Sequence, residues 1–178
     1  MEENQKIPMR SQVKKEDTWA IEDMYATVED WEKDFAAAKK VAEEAAEYAG
    51  RLGESAQALY DWSALTEKLD CMLSEIYGYA SRVKDQDTAD AAGQTLSARA
   101  MGLYVECSGL ISFADPEILS IPEEKLEAFY AEKPELLKYR RSINEVRRCK
   151  DHILSPEKRY WQMQGRWRRR PERFIRLW

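Results

Sequence analysis

With 178 residues, 44% of them hydrophobic and 11% aromatic, the chain can bury a genuine core, and its 34% charged residues suit a solvated, helix-rich surface rather than disorder. Nothing in it approaches the roughly 18 consecutive apolar residues of a membrane span, and the opening MEENQKIPMR lacks the apolar centre of a secretory signal. The formal net charge is −5, and the three cysteines (Cys71, Cys107, Cys149) stand far apart with no CxxC pair, which fits reduced thiols in a cytoplasmic protein rather than a disulfide framework or a cysteine metal site.

Residues 1–16 read as a polar lead-in. Asp17 to Tyr25 is short and amphipathic, and is expected to pack Trp19 and Tyr25 together onto the body. Thr27 followed by Asp30 resembles a capping box, and the three- and four-residue steps from Trp31 through Phe35, Ala38, Val41, Ala42 and Ala45 to Tyr48 predict a helix over 28–49. Gly50 and Gly53 are placed to end it, because glycine takes the left-handed conformation without a Cβ clash. Ser55 is a candidate cap for a second helix over 56–83, with Leu59, Trp62, Leu65, Leu69, Met72, Leu73, Ile76, Tyr77 and Ala80 on one stripe. After the polar link Lys84–Asp87, a third helix is expected over 88–113, its face formed by Ala91, Leu96, Leu103, Cys107, Leu110 and Ile111. Asp115 before Pro116 signals an N-cap and first-turn proline. Ser120-Ile121-Pro122 repeats that signal ahead of Leu126, Phe129 and Tyr130. Lys133-Pro134 closes that helix and opens another over 134–151, with Leu136, Leu137, Tyr139, Ile143 and Val146. No segment reads as a strand. The fold class is all-α, a bundle of long antiparallel helices plus shorter ones.

The character of the chain changes near Ser155-Pro156-Glu157. Residues 1–156 carry 20 Lys/Arg against 31 Asp/Glu, whereas residues 157–178 carry 8 against 2 and three of the six tryptophans. Three segments follow: the lead-in 1–16, a helical domain 17–157, and a basic Trp/Arg-rich tail 158–178. Arg166, Arg168, Arg169, Arg170, Arg173 and Arg176 interleave with Trp167, Phe174 and Trp178, a mixture that suits phosphate backbones with base stacking or an anionic membrane surface.

Catalytic chemistry is hard to find. His152 is the one histidine, and zinc hydrolysis of the HExxH type needs two on one helix face with a glutamate between them. There is no GxSxG and no glycine-rich phosphate loop. Glu43-Glu44 and Glu123-Glu124 are neighbours in sequence that point to different helix faces, and are expected to be solvated. Tyr77, Tyr79 and Trp62 either line a groove or belong to the core, the latter being usual for aromatics on an apolar stripe. Arg140-Arg141 and Arg147-Arg148 form a basic cluster read as a solvated face, with an acidic partner as the alternative. No catalytic, metal-ligating or cofactor-binding residue is assigned.

Several segments, taken in order, resemble the N-terminal region of oligoendopeptidase F, in the thimet-oligopeptidase-like class of zinc metallopeptidases. They are Thr18-Trp19-Ala20-Ile21-Glu22-Asp23-Met24-Tyr25 with Trp31, then Phe113 to Leu119 and Pro122 to Leu126, then Pro134-Glu135-Leu136 with Tyr139-Arg140, and finally His152-Ile153-Leu154-Ser155. Together they cover about 11–157. The resemblance implies a cytosolic helical region that walls the peptide channel of a larger enzyme. It implies that HExxH, the zinc and the oligopeptide substrate belong to a C-terminal catalytic domain absent from this sequence, and that this chain alone is inactive. A face meant for that domain would be exposed, favouring self-association or marginal stability.

The tail departs from the family where a charged helix should begin. Back-translated one base out of frame, Lys158 to Gly165 opens with Glu/Lys, Val/Ile, Leu, Ala, Asp/Asn, Ala and Gly/Arg, which suggests that residues from about 159 onward are out of frame. The alternative from another class is a standalone helical interaction module whose basic tail binds nucleic acid or anionic membrane. A third is an independent peptidase that takes zinc and its ligands from a separately encoded chain.

Overall fold

A computed structural model describes residues 12–149; His152 and the basic tail lie outside the described residues. Among the described residues the chain is helical without a strand. In chain order the helices are α1 (Val28–Ala46), α2 (Ala56–Gln86), α3 (Ala91–Leu110), α4 (Ala114–Ser120), α5 (Glu123–Glu132) and α6 (Arg140–Arg148), with 3-10 turns at Lys15–Asp17, Ile21–Asp23 and Pro134–Tyr139. They form two compact units. One holds the described residues up to Ala49 together with Asp61–Ser112; the other holds Gly50–Tyr60 and the described residues from Phe113 onward.

In the first unit, α1 opens where Thr27 accepts the Asp30 amide at 3.2 Å, satisfying an orphan donor of the first turn. Its stripe buries Trp31, Ala38, Val41, Ala42 and Ala45. Trp31, Ala38, Val41 and Ala42 pack against Leu69, Leu73, Ile76 and Ala80 of α2 and against Leu96, Ala100, Leu103 and Cys107 of α3. The fully buried Trp31 donates its Nε1–H to the Ile76 carbonyl at 3.0 Å, so the largest core side chain leaves no polar group unpaired. Helix α3 begins at Asp90, whose carboxylate accepts the Ala92 and Gly93 amides at 3.2 and 3.0 Å. That start is later than the periodicity suggests. Gly93 is there because α2 comes close: a Cβ at that position would stand 3.1 Å from the Lys84 Cα.

Three expectations for this unit are corrected. The segment around Trp19 is not one amphipathic turn but two separate 3-10 turns with an extended link, so Tyr25 reaches the core while Trp19 stays 58% exposed. Tyr77 sits on the outer side of α2 and is exposed; Tyr79 is the buried partner, its ring edge-on to Tyr25 with centroids 5.2 Å apart. Ala91 and Leu110, expected on the buried face of α3, are exposed because the core seam runs through Gly93, Leu96, Ala100, Leu103 and Cys107 instead.

The second unit is built from short helices and bound together by polar ties. Gly50 takes φ +82°, a conformation that favours glycine. The Gly50 amide and, at 3.3 Å, the Leu52 amide both donate to the Glu117 carboxylate of α4. Ser55 accepts the Ala58 amide at 3.1 Å, as a cap for α2 should. Helix α4 starts at Ala114 rather than after Asp115. Phe113 already has helical angles and its carbonyl accepts the Glu117 amide, so Asp115 and Pro116 lie inside the first turn, where a proline costs no hydrogen bond. Ser120 closes α4 by donating to the Glu117 carbonyl at 2.6 Å and does not open α5. Pro134 starts a 3-10 turn that passes into α6, so Leu136 is buried while Leu137 is 47% exposed.

Candidate functional site

The residues that sequence reasoning singled out do not converge. Glu43, Glu44 and Glu124 are exposed, and Glu123 is exposed and paired with Arg147 at 2.7 Å. Arg140 bonds Glu127 at 2.7 Å and Arg141 bonds Glu145 at 3.1 Å. Arg147 does more than lie on a solvated face. Its guanidinium donates to the Ile121 carbonyl at 2.7 Å and the Ile118 carbonyl at 3.4 Å, and ties the end of α4 to α6. Among the described residues no group of three or more His, Cys, Asp or Glu stands together in a way that would hold a metal ion. Cys107 is buried, and that burial pushes its thiol up. The buried Tyr130 hydroxyl lacks a hydrogen-bond partner, and burial raises it as well.

Two apolar surfaces stand out in the first unit. One is a cleft of about 480 Å³ lined by Val28, Tyr79, Val83, Asp90, Leu96 and Arg99 among others. Its charges are already committed. Asp90 caps α3, and Arg99 makes a two-pronged pair with Glu32 of α1, one prong at 2.8 Å, while lying 5.2 Å from the Trp31 ring and 5.0 Å from the Phe35 ring. The same guanidinium holds the Glu32 carboxyl below the usual carboxylate range through that hydrogen bond. Nearby, the Tyr25 hydroxyl donates to Asp34 at 3.0 Å, and burial, then that bond, push it well above the ordinary phenol range. The rest of the named lining, Val28, Tyr79, Val83 and Leu96, is apolar or aromatic.

The other surface is the outward face of α3. Met101, Tyr104 and Val105 are 46%, 50% and 62% exposed. Along the twenty residues of α3 the only charges are Arg99 and Glu106, and both turn toward α1, to Glu32 and to Lys39. The outward face is thus free of charge in a chain that is one-third charged, a contrast the sequence displays but the pattern of buried positions conceals.

Among the described residues the protein is an all-α body of capped long helices followed by short tied ones. Residues 117–159 match the family model described as Oligopeptidase F. The chain is 39% identical over 149 residues to Oligopeptidase PepF of Bacillus subtilis, covering 84% of this chain and 22% of that protein. It is 32% identical over 146 residues to the Group B oligopeptidase PepB of Streptococcus agalactiae, covering 82% of this chain and 24% of that one. In three dimensions it is similar to the crystal structure of oligoendopeptidase-F from Enterococcus faecium, with a TM-score of 0.67 and 25% identity over 74% of this chain and 26% of that one. This chain is related to oligoendopeptidase F over that protein's N-terminal region, and it spans about a quarter of the length of these relatives.

Proposed function

We propose that this chain is the N-terminal helical portion of an oligoendopeptidase-F-like zinc metalloendopeptidase, acting in the cytoplasm. In this reading its helices, within the domain 17–157, wall the peptide channel of the longer enzyme, and the chain alone hydrolyses no peptide. The observation that carries the reading is 39% identity to an oligopeptidase along 84% of this chain but only 22% of the relative. The described residues do not fit a zinc site, since no three candidate ligands stand together, so zinc and the hydrolytic groups are assigned to the longer enzyme's remaining part. The missing catalytic domain is the partner this reading requires, and oligopeptides are substrates of the whole.

The test is a chimera in which this chain's residues replace the matched 149 of the Bacillus subtilis protein. Cleavage of internally quenched oligopeptides by the chimera, and none by the isolated chain with added zinc, is the expected result. A folded chimera that leaves the peptides intact, or chelator-sensitive hydrolysis by the isolated chain, overturns the reading. For the tail 158–178, sequencing the DNA past codon 157 in both neighbouring frames tests whether a shifted frame runs on to HExxH.

A further inference from the structure

Among the described residues, no contact accounts for two glycines of α3. A Cβ added at Gly102 or Gly109 would meet nothing within 4 Å, unlike one at Gly93, which would press on the α2 backbone. A glycine in a helix interior costs about 1 kcal/mol relative to alanine, so Gly102, in the middle of α3, calls for a reason outside the contacts described, whereas Gly109 lies in the last turn, where the cost is smaller. Both lie on the outward face of α3, where Ala98, Met101 and Val105 fall at helical spacing beside them, all exposed and none charged. Small residues alternating with medium apolar ones allow a second helix to approach closely, which large or charged side chains would prevent.

We infer that this face of α3 is covered by an uncharged helix from the remainder of the longer peptidase chain, and that Gly102 and Gly109 set the closeness of that contact. The inference rests on the family reading above. Two observations favour this occupant over a second copy of the chain. The relatives continue for about three-quarters of their length beyond the matched region, which supplies a partner within the same polypeptide. A face one helix long is also small. Twenty residues make a strip about 30 Å long and roughly 10 Å wide, on the order of 300 Å², whereas a stable dimer buries about 800 Å² per partner. A contact of that size holds when the two surfaces share a chain, because the effective concentration is high.

The experiment compares Gly102→Leu and the milder Gly102→Ala in the isolated chain and in the chimera with the Bacillus subtilis protein. In the isolated chain both substitutions are expected to leave the melting temperature unchanged or to raise it, since they add helix propensity in open space. In the chimera Gly102→Leu is expected to lower it by roughly 3 °C or more, with Gly102→Ala between. This reversal of sign is the signature of a contact made only in the longer protein. Equal shifts in both backgrounds overturn the inference, and a chimera that still cleaves peptides then leaves the family reading standing. A folded chimera that fails to cleave counts against that reading, while its melting behaviour still decides the contact. Concentration-dependent dimerisation of the active chimera, abolished by Gly102→Leu, also overturns the inference in favour of a second copy.

Discussion

The two units of this protein solve the same problem by different means. In the first, helices of 19 to 31 residues bury continuous stripes, and one tryptophan with its single hydrogen bond anchors the seam. In the second, helices of 7 to 10 residues bury little each, and the gaps between them are bridged by Glu117 and Arg147 reaching main-chain groups far away in sequence. The difference teaches that short helices need directional ties, because their own apolar faces are too small to fix how they meet.

This contrast can be broken at its strongest point first. Trp31→Ala removes the largest fully buried side chain and leaves the Ile76 carbonyl without its second donor; a loss of about 3–5 kcal/mol is expected, measured by urea denaturation. Retention of near wild-type stability would show that the stripe does not depend on its aromatic anchor. Arg147→Ala should cost about 1–3 kcal/mol by unpairing the Ile121 carbonyl and Glu123. Its effect should appear as faster limited proteolysis between residues 118 and 123, with the first unit unchanged; cleavage spread evenly along the chain would contradict a local tie. Asp90→Ala strips the cap from α3 and is expected to cost about 1 kcal/mol, read as a shift in thermal midpoint, with Asp90→Asn recovering most of it.

The smallest effect concerns pH. Glu32 has its carboxyl lowered in the folded state by the hydrogen bond from Arg99. A depressed folded value means that the unfolded chain binds the proton first. The stabilisation is therefore complete at neutral pH, and it fades as pH falls from the ordinary glutamate range through the lowered one. Because both partners are about two-fifths exposed, the effect should be slight and should shrink in salt. Glu32→Gln should flatten this limb of the acid titration; an unchanged limb would mean that the pair contributes nothing.

Much of the fold was legible because long helices declare themselves by periodicity. The stripe from Trp31 to Ala45 and the caps at Thr27 and Ser55 are local features, set by residues three and four apart, and the structure shows them where the pattern puts them. What was missed depends on tertiary position. Trp19 and Tyr77 look as apolar as Tyr25 and Tyr79, and only the paths of neighbouring elements decide which pair is buried. Arg147 reads as one more surface charge until the carbonyls of Ile118 and Ile121 are seen beneath it. The start of α4 shifted because proline is tolerated anywhere in a first turn, so Asp115-Pro116 locates a helix end only to within a residue or two. The uncharged face of α3 is visible as composition, yet the expected stripe of Ala91, Leu96, Leu103, Cys107, Leu110 and Ile111 leaves Met101, Tyr104 and Val105 unassigned, since a helix with few charges shows no clear side to solvent.

The grip of Glu117 on the Gly50 and Leu52 amides has a consequence for local opening. Loop amides ordinarily exchange their hydrogens with solvent quickly, but these two are held by a side chain 67 and 65 residues further along. Their exchange rates therefore report on the docking of α4 rather than on the loop itself. A deuterium label at two positions near the start of the second unit thus becomes a gauge of whether its later helices are in place.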